Sequence, residues 1–364
     1  MVKKLVLALL CFATYAVSAQ NATVSPYSLF GVGELRSIRT VENQSMGGLG
    51  MYTDSIHIHL NNPASLGKLA LTSYSAAVSH KEIRLETSDE QQNSSVSTLD
   101  YIAVALPIRF QQMGVAFGLK PYSEMGYSLI NETVNDDGAE VSTQYNGEGG
   151  LNQVFFSTGF RVRRNLHLGA SVNYFFGNLE KSRFQVVEDV IFGTVDQRRS
   201  NVSGFDFNYG LTYTPRLGNH TLFTSVRVNT QANLTSDNEQ QIGTLQPETG
   251  QNIEIFDVNL DEENLRHTFI KIPTTTTLGL GYGEDKRWFV GAEYSFQKYS
   301  EFVNTFLQEN NTEYEDASSY ALGGYWVPDY ASIDSFFNRV TYRAGVRLDK
   351  TGLIVNDKPI EDFG

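Results

Sequence analysis

His57 and His59 stand two residues apart, a spacing that puts both imidazoles on one side of an extended segment, where they could share a metal ion. Solvated or hydrogen-bonded side chains satisfy the same pattern. Asp261-Glu262-Glu263 sets three carboxylates in a row, enough oxygen to hold a divalent cation or simply to solvate a loop. Gly279, Gly281 and Gly283 mimic the glycine spacing of a nucleotide-binding turn. That chemistry needs the glycines to end a strand and open a helix, so that amide N–H groups face a phosphate. Here they fall inside an alternating run before a turn, and read as small wall residues. Neither a Gly-x-Ser-x-Gly elbow nor a His-Glu-x-x-His pair is present. The single cysteine, Cys11, follows Leu10, where a lipoprotein site needs a small residue. No catalytic residue, metal ligand or cofactor is assigned, and the chain does not read as an enzyme.

The elements that carry these residues are two-faced strands. In 165–177, Leu166, Leu168, Ala170, Val172, Tyr174 and Phe176 point one way, and His167, Gly169, Ser171, Asn173 and Gly177 the other, with Phe175 the exception. Phe205, Phe207, Tyr209, Leu211 and Tyr213 repeat the pattern against Asp206, Asn208, Gly210 and Thr212. Such a chain needs an apolar medium outside it or a second sheet packed on it. Eleven strands are predicted, at 71–87, 95–109, 113–130, 149–162, 165–186, 200–215, 220–233, 267–282, 287–303, 317–327 and 338–349. Connections at 110–112, 163–164, 216–219 and 283–286 are short; the others are mostly longer and polar, the longest being 234–266. Short turns at one end and long loops at the other predict an up-and-down transmembrane barrel rather than a Greek-key sandwich.

The charges agree. Asp206, Arg227, Glu293, Arg343 and Arg347 all fall on the wet face and are expected to face the lumen. On the lipid face at mid-membrane an Arg or Lys would cost about 2–4 kcal/mol. Tyr101, Tyr213, Tyr282, Trp288 and Tyr294 fit an aromatic girdle. Pro121, with Gly118 and Gly126 near it, sits inside the third strand, where proline cannot donate to the ladder. A kink there would open the wall; the other possibility is that the strand ends and Pro121 lies just beyond the membrane.

Residues 1–19 have a basic start at Lys3 and Lys4, an apolar run and the small-residue exit Val17-Ser18-Ala19, the form of a secretory signal peptide. Net charge is −13 over the whole chain, and −13 − 2 = −15 without Lys3 and Lys4. That balance argues against a nucleic-acid partner. Residues 20–70, rich in Gly, Asn and Ser, read as a compact segment preceding the strands, and 71–364 as the barrel. Bacterial barrels close with an even strand number. Eleven is odd and the pattern stops at Glu361-Asp362-Phe363-Gly364, so the barrel is expected to be C-terminally truncated.

Three stretches at the start, Tyr27-Ser28-Leu29-Phe30-Gly31-Val32-Gly33, Met46-Gly47-Gly48-Leu49-Gly50 and Asn61-Asn62-Pro63-Ala64-Ser65-Leu66, resemble the hatch of the FadL/TodX (OMPP1) outer-membrane transporter family in its Bacteroidetes-type form. Ile272-Pro273-Thr274 running into Leu278-Gly279-Leu280-Gly281-Tyr282, and Tyr342-Arg343-Ala344-Gly345-Val346, resemble later strands of that family. The resemblance implies an all-β barrel of about fourteen strands, about eleven of them present here. It implies an N-terminal hatch containing Gly47, Gly48, Asn61, Asn62, Pro63 and Ala64, and a lateral opening at the third-strand kink around Gly118, Pro121 and Gly126. The implied function is passive uptake of hydrophobic small molecules such as long-chain fatty acids, in the Gram-negative outer membrane, after export by the general secretory pathway. Its partners would be membrane lipid and the hydrophobic ligand. The alternative is a PorV-like component serving protein secretion, binding a secretion-system or surface protein through loops such as 234–266.

Overall fold

The computed structural model describes residues 23–36, 39–86, 91–247, 249, 251–309 and 312–364; the leader assigned to 1–19 lies outside them. The described strands form one antiparallel sheet. In chain order they are β1 (Glu34–Leu35), β2 (Ser73–Glu86), β3 (Gln91–Arg109), β4 (Met113–Val134), β5 (Glu140–Arg163), β6 (Leu166–Val187) and β7 (Gly193–Tyr213). Then come β8 (Arg216–Leu217), β9 (His220–Asn229), β10 (Ala232–Gln246), β11 (Gln251–Asp257), β12 (His267–Ile272) and β13 (Thr275–Glu284). The last are β14 (Trp288–Gln297), β15 (Val303–Asn304), β16 (Thr312–Tyr314), β17 (Ala317–Trp326), β18 (Tyr342–Val355) and β19 (Lys358–Phe363).

From β2 to β7 each strand pairs with the next as a hairpin. β7 then has two neighbours on one edge: Asn208–Tyr213 pair with β9, and 193–203 with β10. β9 and β10 are therefore one wall strand broken at 230–231. The next wall strand is likewise made of β11, β12 and β13, each paired back onto β10 or β9. β14 with β15, β16 with β17, and β18 continue the wall, and β19 folds back on β18. Among the described residues no ladder joins β19 or β18 to β2.

The wall order agrees with the predicted alternation, but the predicted loops shrink. β5 starts at Glu140 rather than near 149, and the supposed long loop 234–266 is mostly the hairpin of β10 and β11. Leu234, Ser236 and Asn238 are buried and alternate with exposed partners, so the strand periodicity persists there. Most of the inward residues are polar, however, so the hydrophobic alternation fades while the hydrogen-bond ladder runs on. At the other end, the strand expected at 338–349 is displaced: Phe336–Arg339 is a helical turn, and β18 runs to Val355 before turning through Asn356 and Asp357, both at positive φ, into β19.

The sheet curls into a β-barrel that is inside out by the standards of a water-soluble protein. Phe205 is 57% exposed and Phe207, Tyr209, Leu211 and Tyr213 are exposed with it, while Asp206 is 8% exposed and Asn208 and Thr212 are buried. A contiguous apolar outer belt over a polar inner face is stable only where hydrocarbon replaces water, so this is a membrane-spanning barrel. Tyr213, Tyr282 and Tyr294 lie on the exposed face, and Tyr282 and Trp288 pack together with His220 near the 285–287 turn. Tyr101, expected in the same girdle, is buried on the inner face. No helix among the described residues is long and apolar enough to cross a membrane, which bears only on helices.

Candidate functional site

The described part of the N-terminal segment, residues 23–70, lies against the inner face of this wall. Its main element is a 3-10 helix, Pro63–Lys68. Proline suits the first helical position because its missing N–H would have had no partner there. Asn62 directs its amide to the Gly50 carbonyl at 2.9 Å and to Thr212 Oγ1 at 3.3 Å, and its own carbonyl accepts from Ser65 Oγ at 2.7 Å.

Two rows of wall glycines make room for this backbone. Gly114, Gly159, Gly169 and Gly210 are register partners across β4, β5, β6 and β7. A Cβ at Gly159 would lie 2.2 Å from the Pro63 oxygen, and one at Gly169 2.3 Å from the Pro63 carbonyl carbon. Gly281, Gly291, Gly323 and Gly345 form the second row across β13, β14, β17 and β18. Here a Cβ at Gly323 would meet the Met46 oxygen at 2.2 Å, and one at Gly345 the Gly47 nitrogen at 2.2 Å. Sequence reasoning treated the wall glycines merely as small. The signal was available for one row: Gly281 and Gly291 are equidistant from Lys286 and so had to meet across that hairpin, whereas Gly159 and Gly169 meet only because the β5–β6 register shifts between Arg161 and Arg163.

Charge anchors the segment between the rows. Arg227 Nη2 donates to Glu293 Oε2 at 2.6 Å, and Glu293 Oε1 accepts the Gly50 N–H at 2.9 Å, all buried. Burial pushes the Arg39 guanidinium down to about 10, with the Arg347 charge adding to the shift. Arg347 pairs with Asp349 at 2.6 Å and Asp362 at 3.3 Å; it and Arg343 are half-buried. Asp206 accepts from Asn173 at 2.5 Å.

The two histidines separate. His57 Nδ1 bonds Asp54, whereas both ring nitrogens of buried His59 are without a protein partner. The Asp54 hydrogen bond raises His57; burial pushes His59 down to about 4 and Lys68 to about 8. Among the described residues no three His, Cys, Asp or Glu groups come together as metal ligands. Asp261 pairs with Arg266 at 3.1 Å and Glu262 accepts from Asn259 at 3.1 Å, as in a solvated loop.

Between β2 and β7 the described wall is interrupted where β3 and β4 part. The β3–β4 ladder stops at Ile102 opposite Leu119, and beyond it β4 stays with β5 while β3 stays with β2. Pro121 marks the departure: the β4–β5 register shifts between Pro121 and Ser123. Gly118 is pressed against the β3 backbone, where a Cβ would lie 2.2 Å from the Ile102 oxygen. Gly126 donates its N–H to Ser28 Oγ at 3.2 Å. Beside the departure an interior apolar cluster gathers Met125, Tyr127, Leu151, Phe175, Leu179 and Leu234. Phe302, Phe306 and Leu307, from the segment after β14, belong to the same cluster. A neighbouring cavity of about 580 Å³ is polar instead, lined by Glu148, Glu180, Lys181, Arg198, Arg199 and Glu239.

The family described as BamG matches residues 1–364, the whole chain. This chain belongs to the BamG family. Among solved structures, the Pseudomonas putida toluene transporter TodX is 15% identical over 92% of this chain and 90% of its own, with a TM-score of 0.53. A Pseudomonas aeruginosa FadL homologue is 13% identical over 88% of this chain and 82% of its own, also at 0.53. The monoaromatic hydrocarbon channel CymD is 13% identical over 88% and 85%, at 0.50. No curated protein matches. At these identities the likeness is one of fold, and this BamG-family chain has the FadL/TodX type of barrel.

Proposed function

We propose that this BamG-family chain is an outer-membrane channel for passive uptake of small hydrophobic molecules, releasing them sideways between β3 and β4. The observation that carries the reading is the departure of β4 from β3 above Leu119, beside the apolar surface of Met125, Tyr127 and Phe175. An apolar solute leaving there passes from one apolar surface to another without entering water. Two proteins of similar fold, a toluene transporter and a monoaromatic hydrocarbon channel, are named for the same solute class. Long-chain fatty acids belong to that class too.

In this reading residues 20–70 are the hatch, with Gly47, Gly48, Asn61, Asn62, Pro63 and Ala64 at its seats on the wall. Gly118, Pro121 and Gly126 shape the exit, and Asp206, Arg227, Glu293, Arg343 and Arg347 line the lumen. Phe302, Phe306 and Leu307 occupy the place a solute would take, so entry requires their segment to move. Residues 1–19 are the leader for the general secretory pathway.

The test is uptake of radiolabelled toluene and oleate by cells making the protein, against an empty-vector strain. At least a several-fold faster initial rate for one of them is expected; equal rates for both would sink the reading. A second reading, a barrel that docks a secretion-system or surface protein, is favoured by the β10–β11 hairpin, which exposes Ile242, Ile253, Ile255 and Phe256. Stoichiometric co-purification of a partner, lost on replacing Ile242 and Phe256 with serine, would support it instead.

A further inference from the structure

We propose that β1 is a detachable gate strand in the opening between β3 and β4, and that Arg36 is its latch. For what passes through the gate, this rests on the channel reading above; for the gate itself, it rests on the contacts that follow.

β1 is attached on one side only. Glu34 and Leu35 pair with Glu124 and Ser123 of β4, and Arg36 donates its N–H to the Tyr122 oxygen at 2.9 Å. Gly33, at φ +97°, brings the chain in so closely that a Cβ there would lie 2.5 Å from the Glu124 oxygen. Among the described residues no backbone ladder joins β1 to β3, and side chains span the distance. Arg36 Nη2 reaches Asp100 Oδ1 of β3 at 2.7 Å and Arg36 Nη1 reaches Glu124 Oε2 of β4 at 3.2 Å. Ser79 Oγ of β2 lies 3.3 Å from the same guanidinium and donates to Asp100 at 2.8 Å. Lys81 of β2 holds Glu34 at 3.3 Å, and Thr98 of β3 donates to Glu124 at 3.0 Å.

One cation thus stands between carboxylates on the two strands that have parted. Arg36 and Glu124 are each under a tenth exposed, so neither is screened as a surface ion pair would be. A planar guanidinium can serve two carboxylates at once, which a lysine ammonium does less well. The arrangement also favours reclosure. Lifting β1 leaves Asp100 and Glu124 without their cation, and they draw Arg36 back. A two-residue strand with a charge latch can open without disturbing the long ladders on either side.

The experiment uses the full-length protein in detergent micelles and in cells. Amide exchange is measured at Glu34, Leu35 and Arg36 in wild type, Arg36→Met and Asp100→Asn/Glu124→Gln, with heat-modifiable gel mobility as the control for an intact barrel. At least tenfold faster exchange is expected in Arg36→Met with mobility unchanged, and little further gain when all three changes are combined. Arg36→Lys should restore part of the protection. Unchanged exchange in Arg36→Met would overturn the latch. Separately, Leu35→Cys with Ser123→Cys ties β1 to its register partner. Oxidation should abolish toluene uptake and a reductant restore it. Uptake by the oxidised form at the wild-type rate would overturn the gate. If wild type takes up no apolar solute, the channel reading fails, and the exchange measurement alone decides whether Arg36 holds the strand.

Discussion

The N-terminal segment meets the wall at two kinds of seat. Along the glycine rows, backbone lies directly on backbone: Pro63 over Gly159 and Gly169, Met46 and Gly47 over Gly323 and Gly345. At the β3–β4 opening a short ladder holds β1 to β4, and toward β3 side chains span the gap, chiefly one guanidinium between two carboxylates. The first kind is held by shape, which responds little to salt or pH and tolerates no added atom. The second is held by charge, which is strong when dry and weakens once water enters. One molecule therefore has a part built to stay and a part built to let go.

The largest expected effect lies where both kinds meet. Arg227→Met leaves Glu293 buried and unpaired beside the Gly50 N–H, a loss of about 3–5 kcal/mol. Proteolysis of residues 39–60 in the purified protein should rise sharply, and Arg227→Lys should rescue part of the protection. If Arg227→Met is as resistant as wild type, charge does not anchor the segment.

Next comes Gly169→Val. Its new atoms must displace the Pro63 backbone from 2.3 Å, at a cost of about 3 kcal/mol. The same proteolysis assay should show release that is equal at low and high salt, whereas loosening in Arg36→Met should depend on salt. Identical salt profiles for the two variants would remove the distinction between the seats.

The smallest effect concerns His59. Burial pushes its folded pKa down to about 4 from 6.5, so the released segment binds the proton more readily than the seated one. Seating is then strongest above pH 6.5 and weakens as pH falls toward about 4, by about 1–3 kcal/mol. His57 acts oppositely but in another window: its raised pKa gives stability that is complete below pH 6.5 and lost as pH rises through the folded value. Between pH 6.5 and 4 the His59 effect stands apart from it. Amide protection factors at residues 57–60, exchange rates corrected for their intrinsic pH dependence, should fall over that range in wild type and stay flat in His59→Gln; an equal slope in both would assign the response elsewhere.

Much of the wall was legible because a bilayer imposes a simple code. Where hydrocarbon lies outside, Phe205, Phe207 and Tyr209 must alternate with Asp206 and Asn208, and the strand shows in the hydropathy. Where β10 and β11 leave that zone, the code lapses and residues 234–257 looked like loop, although the ladder continues. Pro121 was visible as an anomaly, and its two readings, a kink that opens the wall or a strand that ends, were both open. That β4 leaves β3 there depends on which neighbour keeps its hydrogen bonds, and both neighbours are equally strand-like in sequence. Arg36 gave no signal at all: it is one arginine in a polar segment, and its partners Asp100 and Glu124 are 64 and 88 residues away in the chain.

The residues alone determined the period of the strands, the face that most side chains take, Tyr101 excepted, and the order of the walls, because alternation and turn chemistry are local. They also placed Gly281 opposite Gly291, since a short regular turn sets the register on both sides of it. Only the tertiary structure decided what those glycines are for and where the wall is interrupted. Both depend on distant segments competing for the same hydrogen bonds and the same space inside the barrel, and neither competition is written at any one position in the chain.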